Sequence, residues 1–232
     1  MSRPTRIAVD GPVASGKSTL GRGLAQAFDA LYLDTGVMYR GLTALALERN
    51  IDVRDEAAIT ALAQAVRFSF PQLAQAAAVN PTLLADGIDI TDRLRSPAVD
   101  RNVSAVSSYA SARAAMVVRQ RAIARERFVV MVGRDIGTVV LPDAEAKLFV
   151  TADVEERARR RNAERRAAGI AETPEETLAD LRRRDLLDSE RPVAPLRRAE
   201  DAILLDTTAL SGEQAFDRAI ALVRDRLKER TA

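Results

Sequence analysis

The sequence predicts an α/β fold, a mainly parallel sheet covered by helices on both faces, with a small β-containing insert. Three observations predict it. Short apolar runs alternate with segments of helical periodicity along the 232-residue chain. Most of those runs are apolar throughout, as strands buried on both faces require. A glycine-rich turn from Gly11 to Ser18 joins the first run directly to the first helical segment.

Ile7-Ala8-Val9 reads as a buried strand that ends at Asp10-Gly11-Pro12. From Gly16 to Phe28 the residues Leu20, Leu24, Ala27 and Phe28 recur at helical spacing. Leu31-Tyr32-Leu33 is a brief strand closed by Asp34-Thr35-Gly36, and Met38 to Leu47 reads as a helix. The stretch 52–97 differs. It offers a small helix, Glu56 to Val66, then strand-like pieces at Arg67–Phe70, Thr82–Ala85 and Ile88–Thr91. Asp86-Gly87 between the last two is a hairpin signal. Helix resumes from Ala98 to Glu126. Phe128 to Val132 is the strongest strand and ends in Gly133-Arg134-Asp135; Lys147 to Val150 is another. Asp153–Ala168 and Pro174–Leu187 are charge-dense helices, Ile203–Leu205 a strand, and Ser211–Arg230 an amphipathic helix opened by a Ser211/Gln214 capping box. No repeat or linker divides the chain, so one domain is expected over 1–232.

Composition narrows the chemistry. Hydrophobic residues make up 47% and charged residues 29%, enough for a core and against disorder. Cysteine and histidine are both absent, which excludes disulfides, thiolate zinc sites, cysteine nucleophiles and serine–histidine triads. Chemistry must come from Asp, Glu, Arg, Lys, Ser, Thr, Tyr or a bound cofactor. Lys and Arg number 35 against 33 Asp and Glu, and nine residues are aromatic (Phe 6, Tyr 3, Trp 0). That balance and the scarcity of stacking platforms disfavour a nucleic-acid partner. No apolar stretch approaches the roughly 18 residues of a membrane span, and no leader pattern opens the chain. A cytoplasmic protein is expected.

Gly11-Pro12-Val13-Ala14-Ser15-Gly16-Lys17-Ser18 fits G-x-x-x-x-G-K-[ST] at every fixed position, between a strand and a helix. Glycines let backbone N–H groups turn inward around phosphate oxygens, and the helix N-terminus adds its partial positive charge. Lys17 bridges terminal phosphates and Ser18 offers its hydroxyl to Mg²⁺. Such a loop serves a switch, a motor or a kinase. No N-K-x-D segment for guanine occurs in the chain. Ligands of such sheets lie beyond the strand C-termini, where Asp34-Thr35-Gly36 with Arg40, and then Arg134-Asp135, are found. This favours phosphoryl transfer to a small acceptor.

Asp10-Gly11-Pro12, Leu33-Asp34-Thr35-Gly36 with Met38-Tyr39-Arg40, Gly133-Arg134-Asp135-Ile136-Gly137-Thr138 and Arg191-Pro192-Val193-Ala194-Pro195-Leu196 resemble bacterial-type cytidylate kinases, in order and spacing over nearly the whole chain. The resemblance implies an ATP-dependent kinase of CMP or dCMP with Mg²⁺, acting as a monomer. It implies a P-loop kinase core (about 1–51 and 98–232), an NMP-binding insert (about 52–97) and an arginine-rich lid (about 153–190). The donor would bind Gly11, Pro12, Val13, Ala14, Ser15, Gly16, Lys17, Ser18 and Thr19. Thr35, where the family usually has Ser, would contact CMP, and Arg40 would hold its phosphate. Ser104 and Arg113 would read the cytosine edge. Arg134 would bind phosphate and Asp135 the cytosine amino group. Arg184, Asp188 and Arg191 would reach phosphate, ribose hydroxyls and base. Arg157 and Arg161 would serve catalysis from the lid, with Lys17 and Arg134.

The family usually reads D-G-R-D where this chain has Val132-Gly133-Arg134-Asp135. An acid often supports the metal's water shell there. Either Asp10 or Asp34 compensates, or metal binding is weaker. Rival readings are a kinase of UMP or dTMP, and a nucleotide-binding switch that transfers nothing. An acceptor phosphate is largely dianionic at pH 7 and needs no general base, so the lack of histidine costs such a kinase nothing.

Overall fold

The structure is a computed structural model that describes residues 4–70 and 82–229. Five strands form one parallel sheet: β1 (Arg6–Asp10), β2 (Leu31–Asp34), β6 (Val129–Gly133), β7 (Ala146–Thr151) and β8 (Ile203–Asp206). Their spatial order is β2-β6-β1-β7-β8, with β1 at the centre. Three two-residue strands, β3 (Phe68–Ser69), β4 (Leu84–Ala85) and β5 (Ile88–Asp89), form a separate antiparallel sheet. Asp86 and Gly87 turn its hairpin with φ of 51° and 85°, the left-handed pair a two-residue turn needs. The expected insert includes residues 71–81, which lie outside the described residues.

Side chains on a strand point alternately to the two faces, and here both faces are apolar. Ala8, Leu31, Leu33, Val129 and Met131 look toward α2 (Thr35–Glu48), α3 (Glu56–Ala65), α4 (Pro97–Val106) and α5 (Ala110–Glu126). The same core takes in Phe70, Leu83, Ala85 and Ile90, so the small sheet packs on α2 as part of it. Ile7, Val9, Tyr32, Val130 and Val132 face α1 (Lys17–Ala27) and α8 (Gly212–Glu229). α1 sits so close that a Cβ on Gly21 would lie 2.4 Å from Val132 Cγ2. Two charged helices, α6 (Val154–Ala167) and α7 (Pro174–Glu190), pack against each other beyond β7. Among the described residues no helix is long and apolar enough to cross a membrane.

The structure departs from the sequence reading at several places, among them a 3₁₀ turn at Thr91–Arg95 where the expected strand Ile88–Thr91 ends at Asp89. The single helix expected from Ala98 to Glu126 is two, broken at Ser107–Tyr109. There Ser107 Oγ donates to the Ser104 carbonyl, and the Tyr109 hydroxyl donates to the carbonyl of Val53 in the loop before α3. α2 begins at Thr35, three residues before the expected Met38, because the Asp34 carboxylate accepts from the Gly36 N–H at 3.0 Å and caps it. α7 runs three residues past Leu187 to Glu190. A π-helical turn, Ile136–Val140, follows β6 where the sequence reading placed no element. The Ser211/Gln214 capping box is formed in both directions, at 2.9 and 3.1 Å, so α8 starts where its chemistry said.

Candidate active site

The P-loop connects β1 to α1 at the C-terminal edge of the sheet. Gly11 has φ of 154°, and a Cβ there would lie 2.0 Å from the Val150 carbonyl oxygen, so this turn admits only glycine. Gly16, with φ of 83°, precedes α1 and offers no side-chain cap. The first N–H groups of α1 therefore face the loop as donors for an anion. Ser15 is fully buried with its hydroxyl unpartnered, Lys17 is buried with Nζ 2.9 Å from the Pro12 carbonyl, and Thr19 is exposed.

Cations from four elements converge on this mouth. Burial, then the Arg134 charge, hold the Lys17 ammonium well below the usual lysine range, with Arg184 adding to the effect. Burial, then Arg134 and Arg40, bring the Arg184 guanidinium down to about 10. Arg184 Nε is buried without a hydrogen-bond partner. Arg134 leaves the end of β6, and its Nε donates to Asp188 Oδ2 on α7 at 2.7 Å. Burial works against the Asp188 carboxylate, yet Arg134, Arg191 and Arg184 hold it below the ordinary range. Arg40 on α2 is half-buried, with Nη1 2.7 Å from Asp100 Oδ1 and 3.0 Å from the Leu94 carbonyl. Like charges brought this close repel, and an anion between them relieves the repulsion.

Behind this cluster lies a second, buried one. Arg113 on α5 pairs with Asp135 Oδ2 through Nη2 and lies 5.3 Å over the Tyr39 ring. Arg191 Nη2 is 3.6 Å from Asp135 Oδ1 and has no hydrogen-bond partner, though it is buried. Asp135 thus keeps acceptor capacity beside an unmet donor. Thr35 is buried at the head of α2, its hydroxyl donating to the Val132 carbonyl at 3.0 Å.

The lid candidates divide. Arg157 is buried beside the P-loop: Nη1 reaches the Val13 carbonyl at 3.2 Å, and Nη1 and Nη2 grip Asp185 on α7 at 3.1 and 2.7 Å. Arg161 instead pairs with Glu164 on its own helix, at 3.3 Å, and joins neither cluster. Ser104 sits half-buried on α4, where its carbonyl takes the Ser107 hydroxyl.

Three further residues organise the site: Asp10 and Asp34, which the sequence offered only as stand-ins for the acid absent at position 132, and Asp185, which it did not single out. Asp10 ends β1 with both carboxylate oxygens committed, to Ile136 N–H at 2.8 Å and Gly137 N–H at 2.7 Å. It fixes the π-turn, and burial raises its pKa to about 6. Asp34 accepts from Ser18 Oγ at 3.0 Å. Asp185 holds Arg157. The first two stand at strand ends, which is a signal; the third lies inside a charge-dense helix and carries none.

A model of the family described as cytidylate kinase matches residues 7–225. The chain is 46% identical over 227 residues to a cytidylate kinase of Geobacillus sp. WCH70, covering 98% of this chain and 100% of that one. It is 45% identical over 227 residues to that of Geobacillus kaustophilus HTA426, with the same coverage. It is also 46% identical over 227 residues to that of Mycolicibacterium paratuberculosis K-10, covering 97% and 98% of the two chains. A phosphate cradle, a ring of arginines around it and near-complete alignment with these enzymes agree, and the chain belongs to the cytidylate kinase family.

Proposed function

We propose that the protein transfers the γ-phosphoryl group of ATP to CMP or dCMP, yielding ADP and CDP or dCDP, with Mg²⁺ accompanying the nucleotide. The observation that carries this reading is the convergence of Lys17, Arg134, Arg184 and Arg40 on the P-loop mouth, where burial first, and cationic neighbours second, push Lys17 and Arg184 down. One phosphate would not need four cations. A donor tail and an acceptor phosphate together would.

In this reading residues 11–19 hold the donor through backbone N–H groups and Lys17. Arg40, Arg134 and Arg184 hold the acceptor phosphate in line with the γ-phosphorus. That phosphate attacks as a dianion, so the chain supplies position and positive charge and no base. Asp135 accepts from the cytosine N4 amino group while Arg191 and Arg113 donate to N3 and O2. Uracil would turn a carbonyl oxygen toward the Asp135 carboxylate and be repelled. Asp188 faces the ribose, Thr35 and Ser104 lie along the nucleotide, Arg157 approaches the donor from the lid formed by residues 153–190, and Arg161 would join it on leaving Glu164. The described parts of the insert, 52–70 and 82–97, would cover the acceptor.

The oxygen-only set at Ser18 suits a hard cation such as Mg²⁺, which neutralises charge on the β- and γ-phosphates when bound. All proposed site residues come from one chain, so a monomer suffices. Cytoplasmic ATP and CMP are its substrates. Phosphorus-31 NMR of the protein with ATP, CMP and Mg²⁺ tests the reading. The β-phosphorus resonance of CDP should grow as ATP falls. Growth of inorganic phosphate alone would mean a nucleotide switch.

A further inference from the structure

We propose that Asp34 is the positioning residue for the nucleotide's cation in this chain, acting through Ser18 and alone, where position 132 carries no acid. The inference rests on the ATP-dependent reading above and concerns how the donor's metal is held.

Asp34 ends β2 and Ser18 opens the first turn of α1. The Ser18 hydroxyl donates to Asp34 Oδ2 at 3.0 Å. A hydroxyl has one proton and two lone pairs. With the proton committed to Asp34, the lone pairs point away from it. Ser18 then meets the loop mouth as an acceptor fit for a cation, and not as a donor to phosphate. The carboxylate is itself immobilised, because Oδ1 takes the Gly36 N–H at 3.0 Å and Oδ2 also takes the Tyr32 hydroxyl at 3.4 Å.

Asp10, the other acidic candidate, is turned to the π-turn, and position 132 holds no acid. Both oxygens of Asp10 accept backbone N–H groups of the π-turn. Val132 is the direct register partner of Asp34 on the neighbouring strand, and its side chain is packed into the apolar layer with Tyr32 and Leu20. Adding a carboxylate there would bury it against α1, where Gly21 already sits in contact range of Val132. Among the described residues no group of three or more His, Cys, Asp or Glu gathers to bind a metal. One hydroxyl, oriented by one carboxylate, is what the chain brings to the cation. Partners that orient a ligating group in this way typically change metal affinity roughly 10- to 100-fold.

Mn²⁺ electron paramagnetic resonance on the full chain with a non-hydrolysable ATP analogue, without CMP, reads this directly. Asp34→Asn keeps an oxygen for the Gly36 N–H, and Asp34→Ser is a second good cap should the first fail to fold. We expect Mn²⁺ to bind the protein–nucleotide complex at least tenfold more weakly in either variant, while metal-free analogue binds as tightly as before or tighter. In a Ser18→Ala background the Asp34 substitution should change Mn²⁺ affinity less than twofold, because its route is gone. Undiminished Mn²⁺ affinity in the Asp34 variants overturns the proposal. So does an equal loss with and without Ser18. Neither outcome depends on which nucleotide accepts the phosphate, so failure here is distinct from failure of the CMP reading.

Discussion

Arg134 Nε, at the end of the central-sheet strand β6, donates to Asp188 Oδ2 on α7 at 2.7 Å. One bond thus ties the rigid sheet edge to a charged helix and aims a guanidinium at the P-loop mouth. Asp188→Asn keeps the shape and removes the charge. We expect the KM for CMP to rise roughly 30-fold or more, the loss seen when one partner of a buried charged pair is neutralised. The KM for ATP should move little. Steady-state kinetics with each substrate varied checks the split.

Lys17→Ala removes the one lysine buried at the loop. Its ammonium is already held low by burial and by Arg134, so the folded state gains little from its charge without an anion. We expect kcat to fall about 100-fold or more while CMP affinity, measured by calorimetry, stays within about threefold.

Asp135→Asn tests base reading. The amide presents a donor as well as an acceptor, so the preference for CMP over UMP should shrink roughly 10- to 100-fold in kcat/KM. Arg113 and Arg191 would lose their shared counter-charge, and stability should drop by about 3 kcal/mol in a denaturant titration. An unchanged CMP/UMP ratio would remove Asp135 from recognition.

Asp185→Ala releases the grip on Arg157 seen at 2.7 and 3.1 Å. Arg157 also reaches the Val13 carbonyl of the loop. The expected result is a rise of about tenfold in the KM for ATP, with CMP nearly unaffected. A rise for CMP alone would place Arg157 on the acceptor side.

Asp10 makes stability depend on pH. Its folded pKa is raised from 3.8 to about 6, chiefly by burial against the pull of two backbone N–H groups. A folded state that binds a proton more tightly than the unfolded chain is favoured in acid and loses that advantage as pH rises. The contribution is complete below about pH 4, declines through about pH 6 and is then gone, a change of about 3 kcal/mol. Unfolding free energies of the protein and of Asp10→Asn, compared from pH 4 to 7, should diverge by that amount, with the difference turning against Asp10 as pH rises.

The sheet was legible because its strands are short apolar runs with no polar alternation, and the phosphate loop because its fixed residues stand between a strand and a helix. Arg134 and Asp135 are marked by their place at a strand end, Arg184, Asp188 and Arg191 only by family resemblance, and the fold gathers all five into two adjoining charged clusters. Local pattern did not carry the break at Ser107–Tyr109, since the apolar spacing continues through it and the Tyr109 hydroxyl is tied to Val53, 56 residues away. The π-turn was equally hidden, because Ile136–Val140 is an ordinary apolar run until Asp10, 126 residues upstream, claims its N–H groups. The earlier start of α2 is readable in the sequence, because Asp34 is a good cap three residues ahead of the helix body at Met38. Arg161 lies on α6 as its motif implies and pairs there with Glu164, which the motif did not show.

The arginine ring and Asp135 would together present CMP to the phosphate loop. The most direct measurement is ADP release, coupled to a spectroscopic readout, with ATP, Mg²⁺ and each of CMP, dCMP, UMP, dTMP and AMP in turn. CMP or dCMP should give the highest kcat/KM, with UMP at least about tenfold lower. UMP or dTMP turning over as fast as CMP would contradict it.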